Sequence, residues 1–155
     1  SMDGQLLSSV RHWSVVNRGT SVVTAVHIME IGGLHLIRKI IHEHVQKPDV
    51  MKLTCEMLSN FCSACCNNHS TKLATASKFV NDGMVPSLQY ILEEQADPEV
   101  LAHVVDVIFF IVQLSEKGRR ELRQNNGATA LQQAIFICEG HADLQRALRK
   151  VLQLL

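Results

Sequence analysis

The sequence predicts an all-α fold built from repeated helical units, and three observations support this prediction. Strand-like alternation of apolar and polar residues does not persist for more than a few positions anywhere in the 155-residue chain. Hydrophobic residues make up 46% of the chain and aromatic residues only 5%, so aliphatic side chains supply most of the potential core. The same succession of turn signals and apolar segments occurs three times along the chain. We therefore expect one helical domain with roughly ten helices joined by short turns.

Glycine turns are the first recurring feature. They lie at residues 31–34, 82–85 and 126–128, each between two apolar segments. Glycine suits a tight corner between helices because it adopts left-handed backbone conformations without steric cost. Apolar residues at helical spacing follow the second and third turns, namely Leu88, Ile91, Leu92, Leu131, Ala134 and Ile135. Each glycine turn is therefore predicted to separate two amphipathic helices.

Helix starts with proline or an acidic residue are the second recurring feature. They are Pro48-Asp49-Val50, Pro98-Glu99-Val100 and Ala142-Asp143-Leu144, and Asp97 stands where it can cap the second. Successive glycine turns are 50 residues apart between the first two copies and 44 residues apart between the last two. Successive helix starts have the same two spacings. Two markers that keep the same spacing indicate a true repeat.

A long apolar segment follows each of these starts. The segment from Val100 to Leu114 is apolar around nearly its whole circumference, which is typical of a helix buried between neighbours. It is shorter than the ~20 residues of a membrane span. We predict burial for core residues on these helices: Leu58, Phe61, Val105, Ile108, Ile111, Val112 and Leu152.

Three segments resemble the armadillo repeat family. Residues 79–92 resemble the family pattern apolar-apolar-x-x-Gly-Gly-Ile-Pro-x-Leu-x-x-Leu-Leu, and residues 28–41 and 122–135 are weaker copies. Leu58-Ser59-Asn60-Phe61 resembles the Leu-Ser-Asn-Leu of the family's third helix. The resemblance covers about residues 5–155 and implies a right-handed α-solenoid. It further implies about three three-helix repeats and a partial N-terminal repeat, whose third helices line a concave groove.

The resemblance also implies a set of groove residues. In the family, a Trp followed four residues later by an Asn lies on each third helix, and the Asn holds the backbone of an extended peptide. Matched position by position, this chain keeps both residues only in its first copy and departs from the pattern afterwards. The candidate groove residues are Trp13, Asn17, Glu56, Asn60, Asp106, Phe110 and Lys150. Two alternatives remain open: in the first, Trp13 fills the end of the first repeat, and in the second, the strip is a solvated inner face.

The function implied by the resemblance is that of a scaffold that binds a protein or peptide partner. One alternative is a structural segment of a larger solenoid without a groove ligand. Another is nucleic-acid binding through the basic residues Arg119, Arg120, Arg123, Arg146, Arg149 and Lys150. Lys+Arg and Asp+Glu balance at 15 each, which disfavours nucleic acid and gives no attraction to anionic membranes.

The sequence predicts no enzyme, no cofactor and no metal site. It has no nucleophile elbow, phosphate-binding glycine loop, paired carboxylates or Cys–His arrangement of catalytic type. Cys62, Cys65, Cys66 and His69 could offer zinc ligands, but three of them share one helix end, so we favour small buried thiols. The odd count of five cysteines favours a reducing, intracellular compartment, cytoplasmic or nuclear.

The chain boundaries give two further expectations. Ser1-Met2 reads as an expression scar, and residues 3–155 as a single domain from a longer protein. The last residues, 151–155, are mostly apolar, and solenoids need polar ends. We therefore expect a terminal surface that binds further repeats or self-associates.

Overall fold

The structure is a computed structural model that describes residues 27–65 and 69–155, and this part of the chain is entirely helical without strands. A helical turn at residues 27–30 precedes eight helices. They are α1 (Gly33–His44), α2 (Pro48–Ala64), α3 (His69–Asn81), α4 (Met84–Glu94), α5 (Pro98–Leu114), α6 (Glu116–Gln124), α7 (Gly127–Ile137) and α8 (Ala142–Leu154). The predicted all-α class is confirmed for these residues. Trp13 and Asn17 lie outside them.

The corners before α1, α4 and α7 each contain one residue in the left-handed region. These are Gly32 with φ 88°, Gly83 with φ 80° and Asn126 with φ 61°. Asn tolerates this conformation better than other residues with a Cβ. The corner residues are thus 51 and 43 residues apart, one residue away from the spacing that the sequence markers gave. The marker in the first copy is Gly32, not Gly33, because Gly33 is already helical.

Proline begins both long helices as predicted, and the predicted capping side chain precedes the second of them. α2 and α5 start at Pro48 and Pro98. Before α5, the Asp97 carboxylate accepts a hydrogen bond from the Glu99 amide at 2.9 Å. α6 begins in the same way, since the Ser115 hydroxyl accepts one from the Gly118 amide at 3.0 Å. Each cap satisfies one of the amides that the first turn of a helix leaves unpaired.

The helices pack in two series. α5 contacts both α2 and α8, while α4 contacts both α1 and α7. α3 and α6 connect the series, because α3 contacts α4 and α5 and α6 contacts α4, α5 and α7. Side-chain amides join successive members: Gln95 donates to the Val45 carbonyl and Gln89 to the Asn125 carbonyl, each at 2.5 Å. The core therefore runs continuously from α1 to α8.

Burial repeats with the spacing of the helix starts. Thr54, Val104 and Leu148 are fully buried at equivalent positions of α2, α5 and α8. Met57, Val107 and Val151 form a second fully buried set. Positions 50 residues apart in α2 and α5, and 44 apart in α5 and α8, therefore point in corresponding directions.

The predicted core is confirmed except at its last residue. Leu58, Phe61, Val105, Ile108, Ile111 and Val112 are buried. Leu152 is only half-buried, because α8 packs on α5 and α7 and has no described helix on its other side.

No single described helix has the length and apolar composition of a membrane span. Among the described helices, only α5 and α6 taken together have that length and composition, and this pair is bent by 120°.

Candidate functional site: the groove between α5 and α8

An open groove of about 650 Å³ lies between the first half of α5 and the start of α8. Its α5 wall is formed by Pro98, Glu99, Ala102, Val105 and Asp106, which share one face because they recur every three or four residues. Its other wall comes from the turn before α8 and from that helix's first two turns, residues 140–144 and 147. Small apolar side chains form the floor, and acidic side chains stand at the rim. We call this depression the α5–α8 groove.

Asp106 is an exposed carboxylate that forms no salt bridge with a described residue. Partial desolvation raises the pKa of Asp106 above its ordinary value, and the nearby His103 offsets part of this increase. The ionised form is thus less favourable here than in water. A cation placed in the groove would remove this disadvantage.

Glu99 connects the groove to α2. It forms an ion pair with Lys52 of that helix, and the hydrogen bond from Lys52 raises the pKa of the ammonium group. Lys52 and Glu56 are four residues apart and so lie on one face of α2. The faces of α2 and α5 that carry Glu56 and Asp106 therefore adjoin.

Asn60 lies one turn beyond Glu56 and is half-buried. Its Nδ2 is buried without a hydrogen-bond partner among the described residues. A buried amide donor without a partner costs about 1–3 kcal/mol. This donor is the kind of group that a small side-chain rotation could offer to a carbonyl of a bound backbone.

Phe110 does not line the groove, and its expected place there needs correction. Its side chain is 7% exposed and packs against Phe79 of α3, with ring centroids 6.4 Å apart and planes tilted by 58°. The ring lies on the side of α5 that faces α3 and belongs to the core.

Lys150 lies on a different side of α8 from the α5–α8 groove. It lines a second depression of about 390 Å³ together with Gln145, Arg146, Arg149 and Gln153. Lys150 thus borders the second depression and not the α5–α8 groove that Asp106 lines. Sequence reasoning missed Glu99 and Asp143 as groove residues, because their place after a helix start suggested only favourable interaction with the helix dipole. An acidic residue recurs directly after Pro98 and after Ala142, at the equivalent starts of α5 and α8. This recurrence was the sequence signal that could have identified Glu99 and Asp143.

The cysteines of the described residues are buried thiols. Cys55, Cys62, Cys65 and Cys138 are all buried, and burial raises the pKa of the Cys55 and Cys138 thiols. The Thr75 hydroxyl donates to the Cys65 Sγ at 3.3 Å. Within residues 27–65 and 69–155 no group of three or more His, Cys, Asp or Glu side chains is arranged to hold a metal ion. Cys66 lies outside these residues, so the absence of zinc stays a prediction that elemental analysis can check.

Comparisons of this chain with protein-family models, with curated proteins and with solved structures find no match. The resemblance to armadillo repeats therefore remains an expectation from the residues themselves.

Proposed function

We propose that this chain is a protein-interaction module made of armadillo-like repeats stacked as a right-handed α-solenoid. In this arrangement α2, α5 and α8 are successive third helices, and their common side receives an extended segment of a partner protein. The sequential contacts α2–α5–α8 and α1–α4–α7 support the stacking. The recurrence of burial at spacings of 50 and 44 residues supports the same register. The proposal assigns no catalytic role to any residue.

The observation that carries the proposal is the carboxylate of Asp106 in the α5–α8 groove. It is acidic, unpaired among the described residues, and partly desolvated against Ala102 and Val105. A lysine or arginine side chain from the partner would gain an ion pair while its aliphatic stem covers the small apolar floor. Glu99 and Asp143 also line the groove, but each already forms an ion pair, with Lys52 and Arg146 respectively. The partner segment should therefore carry a basic residue.

Asn60 gives the proposal a second point of attachment. Its unpaired Nδ2 can donate to a main-chain carbonyl of the bound segment after rotation of the side chain. Main-chain hydrogen bonds hold an extended segment irrespective of its sequence, and side-chain pockets then select the sequence. The basic side chain at Asp106 would thus determine specificity, and Asn60 would determine orientation.

A positional library of extended peptides, probed with the full chain, tests this function. We expect enrichment of Lys or Arg at one position and of no single residue type at the others. The variant Asp106→Asn should lose this preference and bind the selected peptide about five- to tenfold more weakly, as expected for a partly exposed charge-assisted contact.

The matched control is Glu139→Gln, which removes an exposed acidic side chain from the end of α7 outside the groove. It should bind like the wild type. Equal binding of wild type, Asp106→Asn and Asn60→Ala, with helical content unchanged, would exclude the groove as the site. It would leave the purely structural role as the better description.

A further inference from the structure

The outer side of α8 exposes cations where the equivalent side of α5 buries apolar residues. Ala102 and Val105 face α8, because both line the groove that the two helices share. Val105 is only 2% exposed. The residues 44 positions later are Arg146 and Arg149, and both are exposed. α8 thus has guanidinium groups at the positions that α5 uses for helix packing.

These cations have little acidic compensation within the described residues. Arg149 and Lys150 form no salt bridge there, and Arg146 pairs only with Asp143, whose side chain is 97% exposed. Arg146, Arg149 and Lys150 surround the depression of about 390 Å³ on α8. Exposed pairs such as Arg146–Asp143 are weak and exchange readily for other partners. The depression is therefore a concentrated patch of available positive charge.

An exposed aromatic ring on α7 directly follows Ile135, whose carbonyl accepts a hydrogen bond at 2.9 Å from Gln145 of the depression. The Phe136 side chain is 78% exposed. By the spacing of the corner residues, Phe136 occupies in α7 the position that His42 occupies in α1. His42 stacks on Tyr90 of α4, the next helix in its series, with centroids 5.5 Å apart. Phe136 therefore points to where an element packing on α7 would lie.

We propose that this outer face, formed by Phe136, Arg146, Arg149 and Lys150, binds an acidic amphipathic helix of a partner protein. Carboxylates of that helix would pair with the three cations, and its apolar side would cover the Phe136 ring. Aromatic and arginine side chains together are the composition of strong contact points in protein interfaces. The surface lies beside the α5–α8 groove, with which it shares Ala142, and binding to it does not require a groove ligand.

Charge complementarity selects this occupant over two others. A further apolar repeat would bury Arg146 and Arg149 without counter-charges, and unpaired buried charges are costly. A nucleic acid would meet the three cations that define this face, whereas strong phosphate binding usually uses more cations and a basic protein field. The chain as a whole carries a formal net charge of zero.

The test uses a designed helical peptide of about 20 residues, with leucines along one face and glutamates beside them, and the full chain. Fluorescence anisotropy should give a dissociation constant in the micromolar range that rises with salt. The double variant Arg149→Glu/Lys150→Glu should weaken binding at least about tenfold, and Phe136→Ser about fivefold. Lys39→Glu, which reverses an exposed cation on α1, serves as the matched control and should bind normally.

Three results would overturn the proposal. The first is equal affinity for a matched peptide with lysines in place of the glutamates. The second is tighter binding of an oligothymidylate of similar length, which would assign the face to nucleic acid. The third is sedimentation showing a dimer that Phe136→Ser dissociates, together with no peptide binding. Asp106→Asn should leave the affinity for the acidic peptide unchanged. A failure of the outer-face proposal can therefore be distinguished from a failure of the proposal that the α5–α8 groove binds a partner.

Discussion

Gly83 illustrates at the scale of one residue how the corners depend on backbone conformation. Its φ of 80° disfavours any residue with a Cβ, and an added Cβ would lie 3.0 Å from Cζ of Arg38. That guanidinium is not free to move without loss, because its Nη1 donates to the Asp82 carbonyl at 3.0 Å. The corner between α3 and α4 is therefore constrained by both its own torsion and a neighbour from α1.

We expect Gly83→Ala to lower the free energy of unfolding by about 2–3 kcal/mol, the sum of left-handed strain and a weakened hydrogen bond. Gly140→Ala is the matched comparison, since Gly140 has φ 92° and open space around its Cα. It should lose only about 1–2 kcal/mol. Urea unfolding of both variants measures the difference. Equal losses would mean that Arg38 moves aside without cost.

Asp106 should contribute to binding at a small expense of stability. Desolvation raises the pKa of Asp106 in the folded state, so the folded chain holds this proton more tightly than the unfolded chain. Its contribution to stability is therefore least favourable above the raised pKa and improves as the pH falls through the acidic range. We expect Asp106→Asn to be neutral or stabilising by less than about 0.5 kcal/mol at pH 7, since the site is exposed.

The measurement is urea unfolding of wild type and Asp106→Asn at neutral and at acidic pH. The difference between the two proteins should shrink as the pH is lowered. Clear destabilisation by Asp106→Asn at neutral pH would show instead that the carboxylate has a structural partner. In that case the Asp106 carboxylate would have a structural role, and its position in the groove would be weaker support for a role in binding.

At the scale of single elements, the sequence predicted the helices better than their exposed surfaces. The apolar circumference of α5 and the proline starts of α2 and α5 follow from local chemistry, so both were predictable. Phe110 was misplaced because spacing by four from Asp106 fixes a helix face but not which neighbour covers it. Only the packing of α3 against α5 puts Phe79 beside this ring. The α5–α8 groove likewise depends on how two helices diverge, which periodicity does not contain.

α5 is the element whose core residues should matter most for stability. It contacts α2, α3, α4, α6 and α8, and Ile108 is 3% exposed within it. We expect Ile108→Ala to lower the free energy of unfolding by about 2–5 kcal/mol, the usual loss for a large aliphatic side chain in a packed core. Gln113→Ala, an exposed position of the same helix, should change it by less than about 0.5 kcal/mol. Unchanged melting of Ile108→Ala would contradict the register of this helix.

At the scale of the whole molecule, the two helix series distinguish the end helices from the middle ones. Only one neighbour within the series is described for each of α1, α2, α7 and α8, whereas α4 and α5 have neighbours on both sides. The expectation of an apolar terminal surface was based on the composition of residues 151–155. α8 buries Leu148 and Val151 against α5 and α7, leaves Leu154 exposed at 40%, and presents Arg146, Arg149 and Lys150 outward. The composition of residues 151–155 shows how many leucines and valines are present, but only the packing of α8 shows which of them are buried.

Stability should therefore decrease from the middle of the stack towards α8. In arrays of stacked units, each unit is stabilised mainly by its direct neighbours, so units covered on one side open more readily. We expect amide hydrogen exchange to be slowest in α5 and at least about tenfold faster in the middle of α8, which corresponds to roughly 1.4 kcal/mol in opening free energy. Mass spectrometry of exchanged peptides can compare the two helices in the full chain.

The acidic peptide that we propose for the outer face should slow exchange in α8 and leave α5 unchanged. Uniform protection of α5 and α8 would instead show that the chain unfolds as one cooperative unit, and the description as stacked repeats would then lose its energetic support.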